Sequence, residues 1–469
     1  MRTVREIIGK YAVLWFWSGF LALLCTLISY PGIWYADSYV RVATGNAVLQ
    51  AVIRTLKGQR MPLYTDNAFT VIPSFFMAVS QLLVGHTGLY TFAQAFAFFA
   101  AIFLLIRELS GAFRKLQYVL FALSPIVYGM AIYYEAGIGC VTGMISLILL
   151  FFRSGKEKCH RERVLEFLLV SFASFVTFGY RTNALTVIPV LILFLLRSRI
   201  ERVWRALLLL ALSAGLLLTK AIPVIFDVHS QSTASVGIVW ETLTIIQRLT
   251  PEERVNYQDY LDEIGGEGFT QTALTASTED TAGSFTWNDA QSIQKLSSPG
   301  ATGSALQKYF QLMREHPQEW LLVREGTMRK ALGIGYTLDD SEYDYNRWGA
   351  MGDFGFNDSL QRQVFYHSVV RMVHFFGFYT LHPWVPFLMS MAMLIIEKIR
   401  NCEKRKKYAF VFWMAVFYYL AYLLDTPAFD YRYFYPSMLL LLILNSAIAA
   451  EWIGIGWKKI RGRKQVRKA

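Results

Sequence analysis

The chain is poor in charge, in cysteine and in the motifs that hold metals or nucleotides, and each shortage removes a class of function. Four cysteines in 469 residues make no disulfide framework. Cys25 and Cys140 fall inside apolar runs, and Cys159 and Cys402 fall in basic loops expected on the reducing side. The seven histidines never form His-Glu-x-x-His, and Gly-x-x-x-x-Gly-Lys is absent. Gly454-Ile455-Gly456 is only a fragment at a helix end, so ATP-driven transport by this chain alone has no footing. Charged residues make up 17% of the chain, below the ~25% of ordinary soluble domains.

Apolar residues take the place of charge. The chain is 54% hydrophobic and 16% aromatic, with these residues gathered in long runs, the signature of an integral membrane protein. Tyr11 to Ser29 is followed by Tyr30-Pro31-Gly32 with no small-x-small cleavage site, so it is expected to be an uncleaved anchor. Further spans are expected at Gly88 to Ile106, Leu116 to Tyr134, Ala136 to Phe152, Val164 to Gly179, Ala184 to Leu196, Val203 to Ile222, Val369 to Ile396, Tyr408 to Leu424 and Tyr433 to Ala450. The net charge of +12 does not point to nucleic acid, because its distribution alternates. Of the 46 lysines and arginines, 28 lie in Met1 to Lys10, Arg107 to Lys115, Arg153 to Arg163, Arg197 to Arg205, Lys398 to Lys407 and Lys458 to Lys468. The short loops between these segments carry almost none. By the positive-inside rule both termini are cytoplasmic and the spans number about ten, in the plasma membrane.

Parity also decides the apolar stretch Ala68 to Gly85. If it crossed, every later basic loop would switch sides, so it is expected to lie in the outer interface or to re-enter. The expected fold class is an all-α polytopic membrane protein with outer-face interfacial helices and a mainly helical external loop domain. Residues 1–226 form an N-terminal module of seven spans whose first external loop is 30–87. Residues 227–362 form the external domain, 363–457 a module of three spans, and 458–469 a basic cytoplasmic tail. The external segment holds 20 of the 34 acidic side chains. In it, Thr250-Pro251-Glu252-Glu253 reads as a capping box with proline at the first helical position, Ala305 to Arg314 has helical spacing, and Trp287 and His316-Pro317 look like helix starts.

The uncommon polar residues at span ends that carry information all fall on the expected outer side. Asp37 stands eight residues past the first span, before Ser38. Glu135 follows Tyr133-Tyr134 at the tight turn between the third and fourth spans, as a functional acid or as a capping glutamate. Arg181 lies in Tyr180-Arg181-Thr182-Asn183, and Arg432 opens the last span beside Tyr433. A guanidinium at this depth needs an anion, and a headgroup-level phosphate fits its fork. For Arg432 an internal bridge to Asp425 or Asp430 is the equal alternative. His382-Pro383-Trp384 reads as a packed histidine.

An acid after the first span, an amphipathic outer segment, an acid after the third span, a later outer arginine and a large external insert together resemble the GT-C class of membrane glycosyltransferases. That class includes polyprenyl-phosphate-dependent protein mannosyltransferases and the aminoarabinose transferases of lipid A. More closely, Pro31-Gly32 to Asp37-Ser38, Trp240-Glu241-Thr242 to Arg254, His316-Pro317 to Tyr336 and Asp430 to Pro436 look like DUF6020, a bacterial multi-pass family assigned to that class. The resemblance implies a polyprenyl-phosphate-linked sugar donor, a lipid, cell-envelope polymer or protein acceptor, and surrounding membrane lipids as partners. It implies Asp37 and Glu135 as catalytic acids, with Ser38, Tyr134, Arg181, Asn183, Arg432 and Tyr433 binding substrate. A divalent cation stays open as cofactor, weakened because Ser38 replaces a second acid and Glu135 lacks an adjacent aspartate. The competing class is a transporter or flippase for a lipid-linked or anionic solute, since membrane-embedded charges also mark transport paths.

Overall fold

The computed structural model describes residues 2–30, 36–59, 62–65, 71–111, 113–124, 127–128, 131, 135–155, 158–230, 233–265, 301–334, 382–400, 402, 404–424 and 431–466. The described chain is predominantly helical. Six of its helices contain segments long and apolar enough to cross a membrane: Tyr11–Ile28, Gly88–Leu109, Ala136–Arg153, His160–Tyr180, Arg202–Ile225 and Phe434–Trp457. These lie in α1 (Arg2–Ile28), α4 (Gly88–Leu109), α6 (Glu135–Arg153), α7 (His160–Tyr180), α9 (Arg202–Ile225) and α17 (Tyr431–Val466). A membrane-embedded chain follows from that pattern.

The other four expected spans fall outside that set of six. The run from Leu116 begins as α5 (Arg114–Ala122) and stops there. Pro125 is the reason, because the residue before a proline is pushed out of the helical region. Most of the remaining run, to Tyr134, lies outside the described residues. The run from Ala184 is a 3-10 helix over Thr182–Val187 continued by α8 (Ile188–Arg197). The wider spacing of a 3-10 turn lets these sixteen residues reach ~27 Å, near the hydrocarbon thickness. The run from Val369 is described only as α15 (Trp384–Ile399), and the run from Tyr408 is α16 (Arg405–Leu424).

Contacts between helix ends sort the bundle into two ends. At the basic end Glu108 of α4 takes Arg153 of α6 at 3.0 Å and Lys407 of α16 at 3.4 Å. Lys404 pairs with Glu451 of α17 at 3.4 Å. The Arg107 guanidinium lies over the Tyr11 ring of α1, 4.2 Å from its centroid. On α7, Glu166 accepts from Lys158 at 2.6 Å and from Trp204 Nε1 of α9 at 3.0 Å. Phe194 at the far end of α8 stacks on Phe410, centroids 4.0 Å apart, so α8 returns to this end.

The opposite end is held by small residues and aromatics. A methyl at Gly139 would overlap the Tyr180 ring, and one at Gly143 would overlap Thr177, which lets α6 and α7 approach closely. Gly215 of α9 lies on the Ser171–Phe175 turn of α7 in the same way. Phe434 of α17 packs on Tyr419 and Tyr422 of α16, centroids 4.7 and 5.4 Å apart.

The segment between α1 and α4 lies across this second end. It holds α2 (Ala36–Leu56) and α3 (Val71–Val84). The fourteen residues of α3 span ~21 Å, too short for a straight crossing of ~30 Å. At one end of α3, Ile72 packs on Gly179 of α7; at the other, Ser80 donates to the His86 carbonyl and Tyr30, just past α1, meets the His86 ring. Two strands absent from the helical expectation, β1 (Leu63–Thr65) and β2 (Val228–Ser230), pair in parallel with Leu63 opposite Val228. They tie this segment to the start of the acidic one. A parallel pair needs a long crossover, and here the crossover contains α3 through α9.

The acidic segment has its own small core. α10 (Thr233–Arg248), α11 (Pro251–Val255), α12 (Gln258–Gly265), α13 (Ala301–Glu315) and α14 (Pro317–Leu332) gather Leu243, Ile246, Tyr260, Leu261, Leu312 and Val323. The Thr250 hydroxyl accepts from the Glu253 backbone while the Glu253 carboxylate takes the Thr250 N–H at 3.0 Å, the capping box read from the sequence. The Trp287 helix start lies outside the described residues.

Candidate functional site

Of the eight residues singled out from the sequence, the structure describes the side chains of Arg181 and Asn183. Asp37 and Ser38 fall in the first turn of α2, Glu135 is the first residue of α6, and Arg432 and Tyr433 lie in the first turn of α17. Their side chains, and Tyr134 entirely, are outside the described residues.

Arg181 leaves the end of α7 in an extended conformation, with its N–H on the Thr177 carbonyl at 3.4 Å. It is half-buried and within electrostatic reach of the fully buried Tyr418 of α16. Tyr418 lies 3.3 Å from the Tyr422 hydroxyl and also meets the Cys140 thiol of α6. One residue before Arg181, Tyr180 lies over Gly139, one turn inside α6 from Glu135. Phe434, two residues after Arg432, packs on Tyr422. The starts of α6 and α17, the end of α7 and the end of α16 therefore meet at one corner. Glu135, Arg181 and Arg432 stand on it by backbone position.

Asp37 stands apart from that corner. Gly45 of α2 sits against Ser74 and Ala78, while Val48, Ala51 and Val52 cluster with Val71 and Phe75, so α2 and α3 run antiparallel. Asp37 precedes Gly45 by two turns, ~12 Å, toward the C-terminal end of α3. The Arg181 corner lies at the other end, where Ile72 meets Gly179. Asn183 is engaged locally, its Oδ1 accepting from the Thr182 hydroxyl at 3.4 Å.

Two features escaped the sequence reading. Arg41, one turn after Asp37 on α2, is only 2% exposed, an unusual depth for a guanidinium outside the long apolar helices. The readable signal is its i+4 spacing from Asp37, which puts both on one helix face. Tyr418 and Tyr422 supply hydroxyls at the corner, disguised in sequence as part of an aromatic span.

The motifs of the acidic segment are spent on its own packing. Glu241, 8% exposed, pairs with Arg324, 9% exposed, and accepts from the Tyr309 hydroxyl at 2.9 Å, which itself takes Trp320 Nε1 at 2.7 Å. His316 Nε2 lies 2.9 Å from the Tyr257 hydroxyl, which donates to Glu315 at 2.8 Å. Gln311 and Tyr257 hold the Glu315 carboxyl below the usual range, and burial, then Glu315, pushes the Tyr257 phenol up. The buried charges Glu241 and Arg324 thus satisfy each other within the segment, as buried polar groups require. His382 stands half-buried just ahead of α15.

Among the described residues no three His, Cys, Asp or Glu side chains come together to hold a metal. Comparison with protein families, curated proteins and solved structures finds no match to this chain.

Proposed function

We propose that this chain is a membrane glycosyltransferase that moves a sugar from a polyprenyl-phosphate carrier to a lipid, cell-envelope polymer or protein acceptor at the outer face of the plasma membrane. In this reading the basic end is cytoplasmic, both termini lie there, the chain crosses about ten times, and the acidic segment is external. α2 and α3 rest at the outer interface. The observation that carries the reading is the Arg181 corner, where a half-buried guanidinium and the tyrosines of α16 stand beside the helix starts that bear Glu135 and Arg432.

The chemistry follows from those residue types. A carboxylate takes the proton of the acceptor hydroxyl as its oxygen bonds to the anomeric carbon, and the bond to the carrier phosphate breaks. Arg181, with Arg432, stabilises the charge that gathers on the departing phosphate. Glu135 is the acid on the corner and takes the base role there, while Asp37, toward the other end of α3, belongs to the acceptor side of the site. Ser38, Tyr134, Asn183 and Tyr433 are polar neighbours that orient sugar and acceptor.

The test is sugar transfer by membranes containing Asp37→Asn or Glu135→Gln, with expression and insertion confirmed. Loss of transfer in either variant, with insertion intact, supports an acid in the base role. Wild-type transfer in both would sink the reading. Movement of the lipid-linked solute across vesicles with no transferred sugar would indicate a flippase instead.

A further inference from the structure

We propose that the groove between α1 and α5 binds an anionic glycerophospholipid, with its phosphate at Arg107, Arg114 and Lys115 and its acyl chains along α1. The inference rests on membrane embedding alone and is independent of the transferase reading. The groove has a volume of about 1390 Å³, above the ~300–1,000 Å³ of ordinary small-molecule pockets. α1 forms one wall, from Tyr11 to Ile28, which is ~26 Å of helix. Trp17, Leu21 and Leu24 line that wall, and Tyr118, Val119 and Leu123 line the other.

Polarity is confined largely to one mouth. Arg107, Arg114 and Lys115 all line the groove, and all three lie at the basic end of the bundle. Arg114 is fixed there by donating Nε and Nη2 to the Ser110 carbonyl at 3.1 and 2.8 Å. Arg107 is held over Tyr11. Lys115 is exposed, with no acidic partner among the described residues. Among the described residues, Glu451, which reaches Gly111 at the mouth, is engaged by Lys404, and Glu108 by Arg153 and Lys407, so these acids leave the three cations of the mouth in excess. A long apolar slot closed at one end by three cations is complementary to a lipid with an anionic head. A zwitterionic lipid presents the same phosphate but also brings its choline cation to the three basic side chains, so the net-anionic lipid is favoured, by about fivefold, ~1 kcal/mol, for each cation near the membrane surface.

The experiment uses the full chain in vesicles doped with phosphatidylglycerol or phosphatidylcholine brominated on the acyl chains, and follows quenching of tryptophan emission. Trp17 lines the groove, so the difference between the wild-type chain and Trp17→Phe isolates its signal. The expected result is stronger quenching of Trp17 by brominated phosphatidylglycerol, with the preference lost about tenfold or more in an Arg107→Gln, Arg114→Gln, Lys115→Gln variant. Arg163→Gln, at the same end but outside the groove, should keep the preference. Because Trp17 reports in the native chain, the preference is readable even if the triple variant fails to fold. Equal quenching by the two lipids overturns the proposal. So does an unchanged preference in a folded triple variant, or displacement of the brominated lipid by polyprenyl phosphate at lower concentration than by phosphatidylglycerol.

Discussion

The two ends of the helix bundle are built on opposite principles. At the basic end, charges are numerous and engaged with each other: Glu108 serves two cations, Glu166 serves Lys158 and Trp204, and Glu397 takes Arg400 at 3.1 Å and Trp452 Nε1 at 2.5 Å. At the other end, among the described residues, the charges are sparse and the joint is made by glycines, tyrosines and phenylalanines, with Arg181 set into it. The number of charges is therefore a poor guide to chemistry in this protein. Where ionic groups are dense they staple helix termini. The functional reading rests on the sparser end, where the Arg181 guanidinium is set among the tyrosines of α16.

Breaking one joint at each end tests that contrast. The largest effect is expected for Glu166→Ala, because Glu166 is 3% exposed and its loss strands both the Lys158 ammonium and the Trp204 N–H. Breaking a buried pair from one side costs ~3–5 kcal/mol, measurable as a loss of unfolding free energy in detergent titrated with denaturant. A smaller cost is expected for Gly139→Ala, where the new methyl meets Tyr180 and overpacking costs ~1–3 kcal/mol. Its second consequence makes it the more informative variant. Displacing Tyr180 moves Arg181, so sugar transfer should fall by more than the stability loss explains, whereas Glu166→Ala should leave the transfer per folded molecule unchanged. If the two variants lose activity in proportion to stability alike, the functional contrast between the ends is wrong.

How far this was legible in the sequence follows the same division. Apolar runs and the Thr250 capping box are local signals: six of the expected runs appear as helices long and apolar enough to cross a membrane, and the capping box forms as its residues predict. The helix start at His316-Pro317 is realised as α14. Packing between distant segments was not legible. Nothing around Leu63 or Val228 announces a parallel pair, because its hydrogen bonds join segments separated by α3 through α9. The 3-10 stretch after Arg181 reads as plain apolar helix, since the hydrophobic pattern does not distinguish a turn of three residues from one of 3.6. Glu241 and His316 drew notice as motif residues, yet their partners Arg324 and Tyr257 lie far along the chain, and only the fold shows that they hold each other. The corner was half legible: Arg181 by its rarity between apolar runs, Tyr418 not at all.

The smallest effect is expected at the exposed rim of the basic end, and it separates two accounts of that end. Arg163 and Glu201 pair at 3.1 Å with side chains 39% and 57% exposed. A pair this wet contributes ~0–1 kcal/mol and weakens with salt. Glu201→Ala should therefore shift the unfolding midpoint little, and the shift should vanish at ~1 M salt, where the screening length is only ~3 Å. Arg163→Ala should cost more than Glu201→Ala, because the Arg163 guanidinium also lies 5.6 Å from the Trp204 ring centroid, and that contact adds ~0.5–1 kcal/mol. If the two substitutions instead match the cost of Glu166→Ala and resist salt, the end is held by a cooperative network of all its charges. If they stay small, the buried acids hold it alone, and the exposed lysines and arginines of the loops are left to set the orientation of the chain in the membrane.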